Sequence, residues 1–331
     1  MLRILHGTKI DFIRLWKITT AVTLLFIVPG LVLIATRGFN YSIEFTGGTL
    51  MQVQFATPPN VSDLRSTLDR AGIQGAEIAQ FGTNRDFVIR AQNREQVAQQ
   101  SRSAESVAGT ISKALAAHYG DGKFTVVRTE AVGPKVGGEL RQKALYAILA
   151  SFLVTLIYLA WRFEWRFGVA AVIATAHDIF ATLAFIKYLN LEISLVVVGG
   201  ILTMIGYSLN DTIIIFDRVR ENLRKKRKES LYDTLNRSVN ETLPRSILTH
   251  ATTMATLLAL SLLGGEVIRP FALVMLFGVF TGTFSSIYVA SPLLLYIETR
   301  WPRAVGDRGG VGPRSTSKPA PKPQPPIAAT R

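Results

Sequence analysis

The composition of this chain indicates a membrane protein. Of its 331 residues, 48% are hydrophobic and only 18% are charged, whereas soluble globular proteins carry about 25% charged residues. The net charge of +14 at pH 7 would suggest nucleic acid binding in a soluble protein. In a membrane protein it can report orientation, because Lys and Arg accumulate on the cytoplasmic side. The sequence has no cysteine, which excludes disulfides, Cys-ligated zinc, iron–sulfur clusters and thiol catalysis.

Six apolar runs are long enough to cross a bilayer, whose core of roughly 30 Å needs about 20 apolar residues of helix. The first, residues 18–36, follows a basic N-terminal segment, residues 1–17. It is longer than the core of a signal peptide, about 7–15 residues, so we expect an uncleaved anchor. The other five predicted membrane helices cover residues 144–161, 167–186, 193–216, 246–265 and 270–297. Six runs of this length argue against the alternative, a continuous soluble core.

A long insert, residues 37–143, separates the first two predicted membrane helices. Met51, Val53 and Phe55 alternate with polar residues, the period of a half-buried strand. Further patterns predict a helix at 61–71, strands at 76–81 and 86–91, a helix at 107–115 and a strand at 123–132. The order βαββαβ is that of an α+β ferredoxin-like domain. The expected fold class is therefore a polytopic α-helical membrane protein with six transmembrane helices and one such domain between helices 1 and 2.

The distribution of Lys and Arg predicts the orientation. They are frequent in the N-terminal segment, in the turn after the second membrane helix, in the loop 217–245 and in the tail 298–331. The two short loops on the other side of the membrane, after the third and fifth predicted helices, hold only Lys187 and Arg269. Both termini are therefore predicted to be cytoplasmic and the insert periplasmic. The proline-rich tail is expected to be disordered. The basic run at 224–228 is interpreted as an orientation signal, with anionic lipid or a cytosolic partner as alternatives.

Several polar residues lie where lipid would surround the helices. A charge in the hydrocarbon region costs at least about 2.5–3.5 kcal/mol on insertion scales and usually serves a function. His177 and Asp178 lie near the middle of the third predicted membrane helix. Asn210 and Asp211 lie in the cytoplasmic third of the fourth, and Arg245 begins the fifth.

Asp211 and Arg245 are the predicted proton-relay pair. Asp211 shares a helix face with two hydroxyl groups, and Arg245 begins a stripe of threonines at helical spacing. If the two faces oppose one another, the carboxylate is either ionised and paired or protonated and released. Such a device can couple proton passage to helix movement. The candidate supporting residues are Asn210, Tyr207, Ser208, His177, Asp178, Thr249 and Thr252.

These features also have purely structural interpretations. An intramembrane Thr often bonds the carbonyl four residues earlier, and Arg245 can extend into the cytoplasmic interface. His177 and Asp178 can form a satisfied contact between helices, and the sequence leaves open whether they join the relay. Gly278 and Gly282 form a GxxxG pair, which favours helix packing over chemistry.

Several short motifs support a closer assignment. They are residues 206–212 (GYSLNDT), 216–218 (FDR), 221–222 (EN), 132–137 (VGPKVG), 176–178 (AHD), 240–246 (NETLPRS) and 282–288 (GTFSSIY). Together they closely resemble motifs of the SecF family, which belongs to the SecD/SecF group of the resistance-nodulation-division superfamily. The resemblance covers roughly residues 10–300. Glu44 stands where the family usually has Asp, a change that keeps the charge.

The resemblance implies a role in bacterial protein export. SecF-like proteins pair with the homologous SecD beside the SecY-E-G channel and use the proton-motive force to draw preproteins to the periplasmic side of the cytoplasmic membrane. Asp211 and Arg245 are the positions that match the family's proton-relay residues. The implied partners are SecD, SecY-E-G, a YajC-like small subunit, the preprotein and membrane lipids, without nucleic acid. Protons are the implied coupling ion, and no cofactor, metal or catalytic residue is expected.

Two other functions fit parts of the sequence. A half-transporter of the same superfamily would need a substrate cavity in the external domain, which lacks an obvious aromatic lining. An intramembrane aspartyl protease would use Asp178 and Asp211 as two carboxylates that share a proton. No Gly-x-Gly-Asp signature precedes either residue, and Arg245 would hold Asp211 ionised.

Overall fold

The computed structural model describes residues 8–91, 104–225 and 229–301. Within these ranges, six helical segments are long and apolar enough to cross a membrane, as the sequence predicts. The first is α1 (Trp16–Arg37), and Gly38 ends it with a φ of 63°, a conformation that only glycine adopts at low cost. Residues 226–228 of the basic run and residues 302–331 of the proline-rich tail lie outside the described residues.

The insert after α1 folds into a small α+β domain. Its elements are α2 (Ile43–Thr46), β1 (Gly48–Phe55), α3 (Val61–Arg70), β2 (Glu77–Gln80), β3 (Asp86–Ala91), α4 (Ala104–Tyr119) and β4 (Phe124–Val132). The four strands form one antiparallel sheet in the order β2-β3-β1-β4. This arrangement confirms the predicted ferredoxin-like βαββαβ domain.

The core of this domain lies between the sheet and its two longer helices. Met51, Val53 and Phe55 of β1 are buried, as their alternation predicts, and they pack with Leu64 of α3 and Ile111 of α4. Burying each such side chain contributes roughly 1.5–3 kcal/mol. The opposite face of the sheet turns toward the membrane helices.

The rest of the described chain is helical. Its elements are α5 (Pro134–Arg162), α6 (Trp165–Tyr188), α7 (Leu195–Lys225), α8 (Leu231–Leu263), α9 (Gly265–Ser285), a π-helical segment (Ser286–Ala290) and α10 (Ser291–Arg300). The sixth membrane span comprises α9, the π segment and α10. The third, fourth and sixth spans form the centre of the bundle, whereas α1 and α5 leave most of their apolar surface exposed.

The segment predicted as a loop at 217–245 is largely helical. Helix α7 continues to Lys225, and α8 begins at Leu231, where the Ser230 side chain accepts a hydrogen bond from Asp233 N–H. Hydropathy marks only the part of a helix that lipid surrounds, so it cannot detect these extensions. Polar contacts join the two helices beyond the apolar spans, including Arg218 Nε to Glu241 at 2.6 Å.

The N-terminal segment is attached to the same helical hairpin. Asn240 bonds both the backbone N–H and the carbonyl of Ile10, at 3.0 and 2.8 Å. Asp11 accepts hydrogen bonds from Tyr232 and Asn236 at 2.6 and 2.7 Å. The bond from the Tyr232 hydroxyl is the main cause that lowers the pKa of Asp11 below its ordinary value.

Two glycines bring the sixth span against α7. A Cβ on Gly282 would lie 2.9 Å from the Cα of Ser208, and one on Gly278 would overlap the side chain of Met204. Such contacts are closer than side chains tolerate, so only glycine permits this approach. The structure confirms the packing role predicted for this GxxxG pair.

The extramembrane domain is attached to the bundle at several points. Tyr41 forms a β-bridge with Ile193, in the loop between α6 and α7. The Glu44 carboxylate accepts the backbone N–H of Leu195 at 2.5 Å, and an acceptor at this place satisfies a free N–H group at the start of α7. Phe45 is buried among residues of the bundle core.

Two further contacts complete this attachment. At Gly137, near the start of α5, a Cβ would lie 2.8 Å from the backbone nitrogen of Gly47. Arg90 of β3 forms an ion pair with Glu192 of the α6–α7 loop. The domain therefore contacts α5, α7 and the α6–α7 loop as well as its own linkers.

Candidate functional site

Asp211 lies in the centre of the bundle, on α7, and only 3% of the residue is exposed. Its ion-pair partner is His250 of α8, whose Nε2 lies 3.4 Å from Oδ2. The Ser246 hydroxyl also interacts with this carboxylate, but without hydrogen-bond geometry. Asp211 is therefore a buried carboxylate with one long contact to a titratable partner.

His250 connects α8 to two neighbouring helices. Its Nδ1 lies 3.0 Å from the Thr283 hydroxyl of α9, and its ring packs edge-on against Tyr207 of α7, with centroids 5.4 Å apart. The Tyr207 hydroxyl in turn donates to Thr253 of α8 at 3.0 Å. Asp211, Tyr207 and His250 thus form one polar cluster, which we call the Asp211 cluster.

The structure does not place Arg245 in contact with Asp211, and the relay role of the two residues stays a prediction. Arg245 is exposed on α8, and among the described residues no ion pair within 4.0 Å joins it to Asp211. It acts on Asp211 only at longer range. The face of α8 that meets α7 carries Ser246, His250 and Thr253, which is one residue further along the helix than predicted.

The predicted threonine stripe points away from the cluster. Thr249 and Thr252 are exposed, and their hydroxyls donate to the carbonyls of Arg245 and Leu248, at 2.9 and 3.1 Å. Within this chain the two hydroxyls therefore bond their own helix and do not reach Asp211, and their predicted support of the relay stays a prediction. Asn210 is exposed as well and does not join the cluster.

Sequence reasoning missed His250. A single histidine in an apolar helix carries little weight beside a charged residue and a row of hydroxyls. The signal was nevertheless present, because Ser246, His250 and Thr253 have the same i, i+4, i+7 spacing as the stripe that begins at Arg245. Two polar faces one residue apart could not be ranked without the packing of α7.

The second buried carboxylate, Asp178, belongs to a denser cluster. It is fully buried on α6 and accepts hydrogen bonds from Ser208 of α7 and from Ser285 of α9, the latter at 2.6 Å. His177 Nδ1 lies 3.0 Å from its other oxygen. We call these four residues the Asp178 cluster. Four of the predicted supporting residues, His177, Asp178, Tyr207 and Ser208, thus lie in one cluster or the other.

The two clusters are neighbours but remain distinct. Ser208 binds Asp178 and precedes Asp211 by three residues, so the clusters lie about one turn apart along α7. Beside them, the Thr212 and Ser286 hydroxyls are 2.7 Å apart, where the sixth span changes to π-helix, an irregularity frequent at functional sites. Among the described residues, no hydrogen bond joins the two carboxylates, so they do not form the proton-sharing pair of an aspartyl protease.

Family models match most of this chain. The C-terminal model of the SecD/SecF protein export membrane proteins matches residues 100–300, and the SecD/SecF GG motif matches residues 32–59. The latter range contains Gly47 and Gly48, and Gly47 is the residue whose backbone approaches Gly137.

Relatives match along nearly the whole length. The protein translocase subunit SecF of Gemmatimonas aurantiaca is 63% identical over 305 residues, which cover 92% of this chain and 91% of that protein. SecF of Desulfurispirillum indicum is 44% identical over 88% of this chain and 93% of its own length.

One solved structure shows the same fold. The crystal structure of SecDF, a translocon-associated membrane protein from Thermus thermophilus, superposes with a TM-score of 0.77 at 36% identity. The match covers 91% of this chain but only 40% of the SecDF chain, so this chain spans about two fifths of that protein.

Proposed function

The chain belongs to the SecF family of protein translocase subunits, and from this membership we propose that it works as a proton-driven subunit of protein export. In this proposal it lies in the bacterial cytoplasmic membrane with both termini in the cytoplasm, and its α+β domain is periplasmic. The proton-motive force supplies the energy, and the preprotein is the cargo. Its six apolar helices make it a multi-pass membrane protein.

The observation that carries the proton-coupling role is the incomplete satisfaction of Asp211. An ionised carboxylate buried among membrane helices requires hydrogen bonds or an opposite charge. Asp211 has a histidine at 3.4 Å, a distance beyond ordinary hydrogen bonds of this type. Saturated bonding therefore does not hold the ionised form of Asp211, so this carboxylate can take up a proton without breaking a complete shell of hydrogen bonds.

The fold offers a path from this site to the extramembrane domain. Helix α7 carries Asp211 in the bundle, and its first residue, Leu195, is bound by Glu44 of the domain. A change in the packing of α7 against α8 therefore reaches the attachment contacts directly. The energy is sufficient in scale, since one charge that crosses 100 mV supplies about 2.3 kcal/mol.

The exposed surfaces support a partner in the membrane. Apolar faces of α1 and α5 are largely uncovered, and Arg245, Thr249 and Thr252 form a polar outer stripe on α8. A polar stripe at membrane depth is less costly against another protein than against lipid. We assign this surface to a SecD protein, and we further propose SecY-E-G and a YajC-like small subunit as members of the assembly.

The test is the substitution Asp211→Asn, which preserves shape and removes the titratable group. We expect late-stage export driven by the membrane potential to fall to background in vesicles that contain the full export complex. Asp233→Asn, the same change at an exposed position of α8, is the matched control and should keep full export. Wild-type export by Asp211→Asn would refute the proposed role of this residue.

A further inference from the structure

His250 is a buried titratable group that the family resemblance does not assign. Only 6% of it is exposed, and it lies between the Asp211 carboxylate and the Thr283 hydroxyl. We propose that His250 and Asp211 share one transported proton, and that Thr283 fixes which ring nitrogen faces the carboxylate. This inference rests on the proposed function of Asp211 and extends it to a second proton-binding residue.

We assign the tautomer of His250 from the hydrogen bonds of Thr283. The Thr283 hydroxyl has one proton, which we place in the bond to the carbonyl of Val279, at 3.0 Å. The hydroxyl oxygen can then only accept from His250 Nδ1, at 3.0 Å. In the neutral ring, one nitrogen donates and the other accepts, so the lone pair of Nε2 faces Asp211.

This arrangement gives the pair two relevant charge states. With one proton between Nε2 and Oδ2, the pair is neutral overall, whether that proton resides on the ring or on the carboxyl. Without it, the pair carries one buried negative charge. A proton that enters the pair therefore neutralises a buried charge, and its departure restores that charge, so Nε2 and Oδ2 act as one unit.

No other charged group in the described residues competes for this position. On α7, the Tyr207 hydroxyl donates its hydrogen bond to Thr253. On α6, Asp178 accepts hydrogen bonds within the Asp178 cluster. On α8 itself, Arg245 is exposed and acts at longer range, and α9 presents the uncharged Thr283.

The remaining elements that pack on α8 carry acids with other partners. Asp11, beside the 3-10 turn that precedes α1, is bound by Tyr232 and Asn236. Glu298 of α10 forms an ion pair with Arg166 at 3.8 Å. His250 is therefore the titratable partner of Asp211 in this bundle.

The chain contains a matched control for this pair. His118 and Asp63, in the extramembrane domain, have the same Nε2–Oδ2 distance of 3.4 Å, but they are partly exposed to water. Water screens that pair, whereas the bundle shields His250 and Asp211. Coupling between histidine and carboxylate should thus be strong in the bundle and weak in the domain.

The first experiment measures this coupling by nitrogen NMR of histidine-labelled protein, reconstituted in lipid vesicles with its SecD partner. The His250 signal is the one lost in His250→Gln or, if that variant does not accumulate, in His250→Asn. We expect its titration midpoint to move by about one pH unit or more in Asp211→Asn. The His118 midpoint should move much less in Asp63→Asn. An unchanged His250 titration in Asp211→Asn overturns the inference.

The second experiment measures export as a function of pH. His250→Gln keeps an amide near Nε2 but cannot take up a proton, so we expect at least about a tenfold loss of proton-driven export and a changed pH profile. Thr283→Val removes the acceptor of His250 Nδ1 and with it the tautomer constraint, but keeps both titratable groups, so it should cause a smaller loss of export.

The outcomes separate this inference from the proposed function. If Asp211→Asn abolishes export while His250→Gln retains the wild-type rate and pH profile, His250 takes no part and the proposed role of Asp211 stands. If Asp211→Asn exports normally, the proposed function itself fails. A loss of export with an unchanged pH profile in His250→Gln indicates a structural role and also overturns the inference.

Discussion

The two buried carboxylates of this bundle differ in how fully they are bound. Asp178 receives hydrogen bonds from α7 and α9 and has a histidine beside its second oxygen. Asp211, one helix away, has a histidine at 3.4 Å and a nearby Ser246 hydroxyl without hydrogen-bond geometry. A carboxylate surrounded by donors is fixed in one state and holds helices together, whereas one with an incomplete shell can change its protonation state. Burial alone therefore does not separate the two carboxylates, whereas the number of hydrogen-bond donors around each does.

The largest effect on stability is expected at Asp178. In Asp178→Ala, the Ser208 hydroxyl loses its acceptor inside the bundle and Ser285 keeps only the Gly282 carbonyl at 3.2 Å; an orphaned buried donor costs about 1–3 kcal/mol. We expect a clearly lower thermal unfolding midpoint in detergent. Asp178→Asn keeps one acceptor oxygen and should lose less.

The stability of an Asp211 variant tests whether the two carboxylates differ. Asp211→Asn should unfold near the wild-type temperature although it abolishes export. If Asp211→Asn destabilises the protein as much as Asp178→Ala, or if Asp178→Ala unfolds like the wild type, the two carboxylates do not differ in the way that their hydrogen bonds indicate.

A smaller effect on stability is expected at Gly282. This glycine allows α9 to approach α7 closely enough for both Ser208 and Ser285 to bind Asp178. In Gly282→Ala the new methyl group would meet the Ser208 backbone at 2.9 Å, and overpacking of this kind costs about 1–3 kcal/mol. Gly206→Ala is the control, since nothing lies within 4 Å of a Cβ there. The thermal unfolding midpoint should be lower for Gly282→Ala but not for Gly206→Ala. Equal midpoints for the two variants would show that α7 and α9 can move apart without loss of stability.

The smallest effect on stability concerns Glu192, an acid that hydrogen-bond donors surround only in part. Burial is the main cause that raises its pKa above the ordinary 4.5, and Arg90 opposes the shift. Because the pKa is higher in the folded protein, this contribution to stability is complete below about pH 4.5 and is lost as the pH rises through the folded pKa.

The measurement is thermal stability against pH in Glu192→Gln and the wild type. The difference between them should change above pH 4.5, by less than about 1 kcal/mol. Glu77→Gln removes the exposed acid that lies 3.7 Å from the same arginine and is a lesser cause of the raised pKa of Glu192, and it should change the pH profile much less. A pH-independent difference for Glu192→Gln would show that Glu192 is not protonated more readily in the folded state.

The sequence predicts the architecture well because each pattern depends on local physics. Long apolar runs give the six spans, and the alternation of Met51, Val53 and Phe55 gives the central strand with the correct face buried. Asp211 is also recognisable, since a carboxylate in an apolar run has few structural reasons to be there.

The partners of Asp211 are not predictable in the same way. Arg245 and His250 lie on faces of α8 about 140° apart, given 100° per residue, and only the rotation of α8 against α7 decides which of them meets the carboxylate. That rotation is set by side-chain packing between distant segments, as in the contact of Gly282 with Ser208. Similarly, the helical ends of α7 and α8 are held by polar contacts that no hydrophobic pattern reveals.

The attachment of the extramembrane domain limits how it can move. Its two linkers meet where Gly137 faces the Gly47 backbone, and Tyr41, Glu44 and Arg90 bind residues around the start of α7. A domain held at so many points cannot swing freely on a hinge. It must follow the tilt of the helices beneath it, and the displacement at its far edge grows in proportion to the distance from the membrane. A small rotation of the bundle would therefore move the far edge of the domain further than it moves the helices.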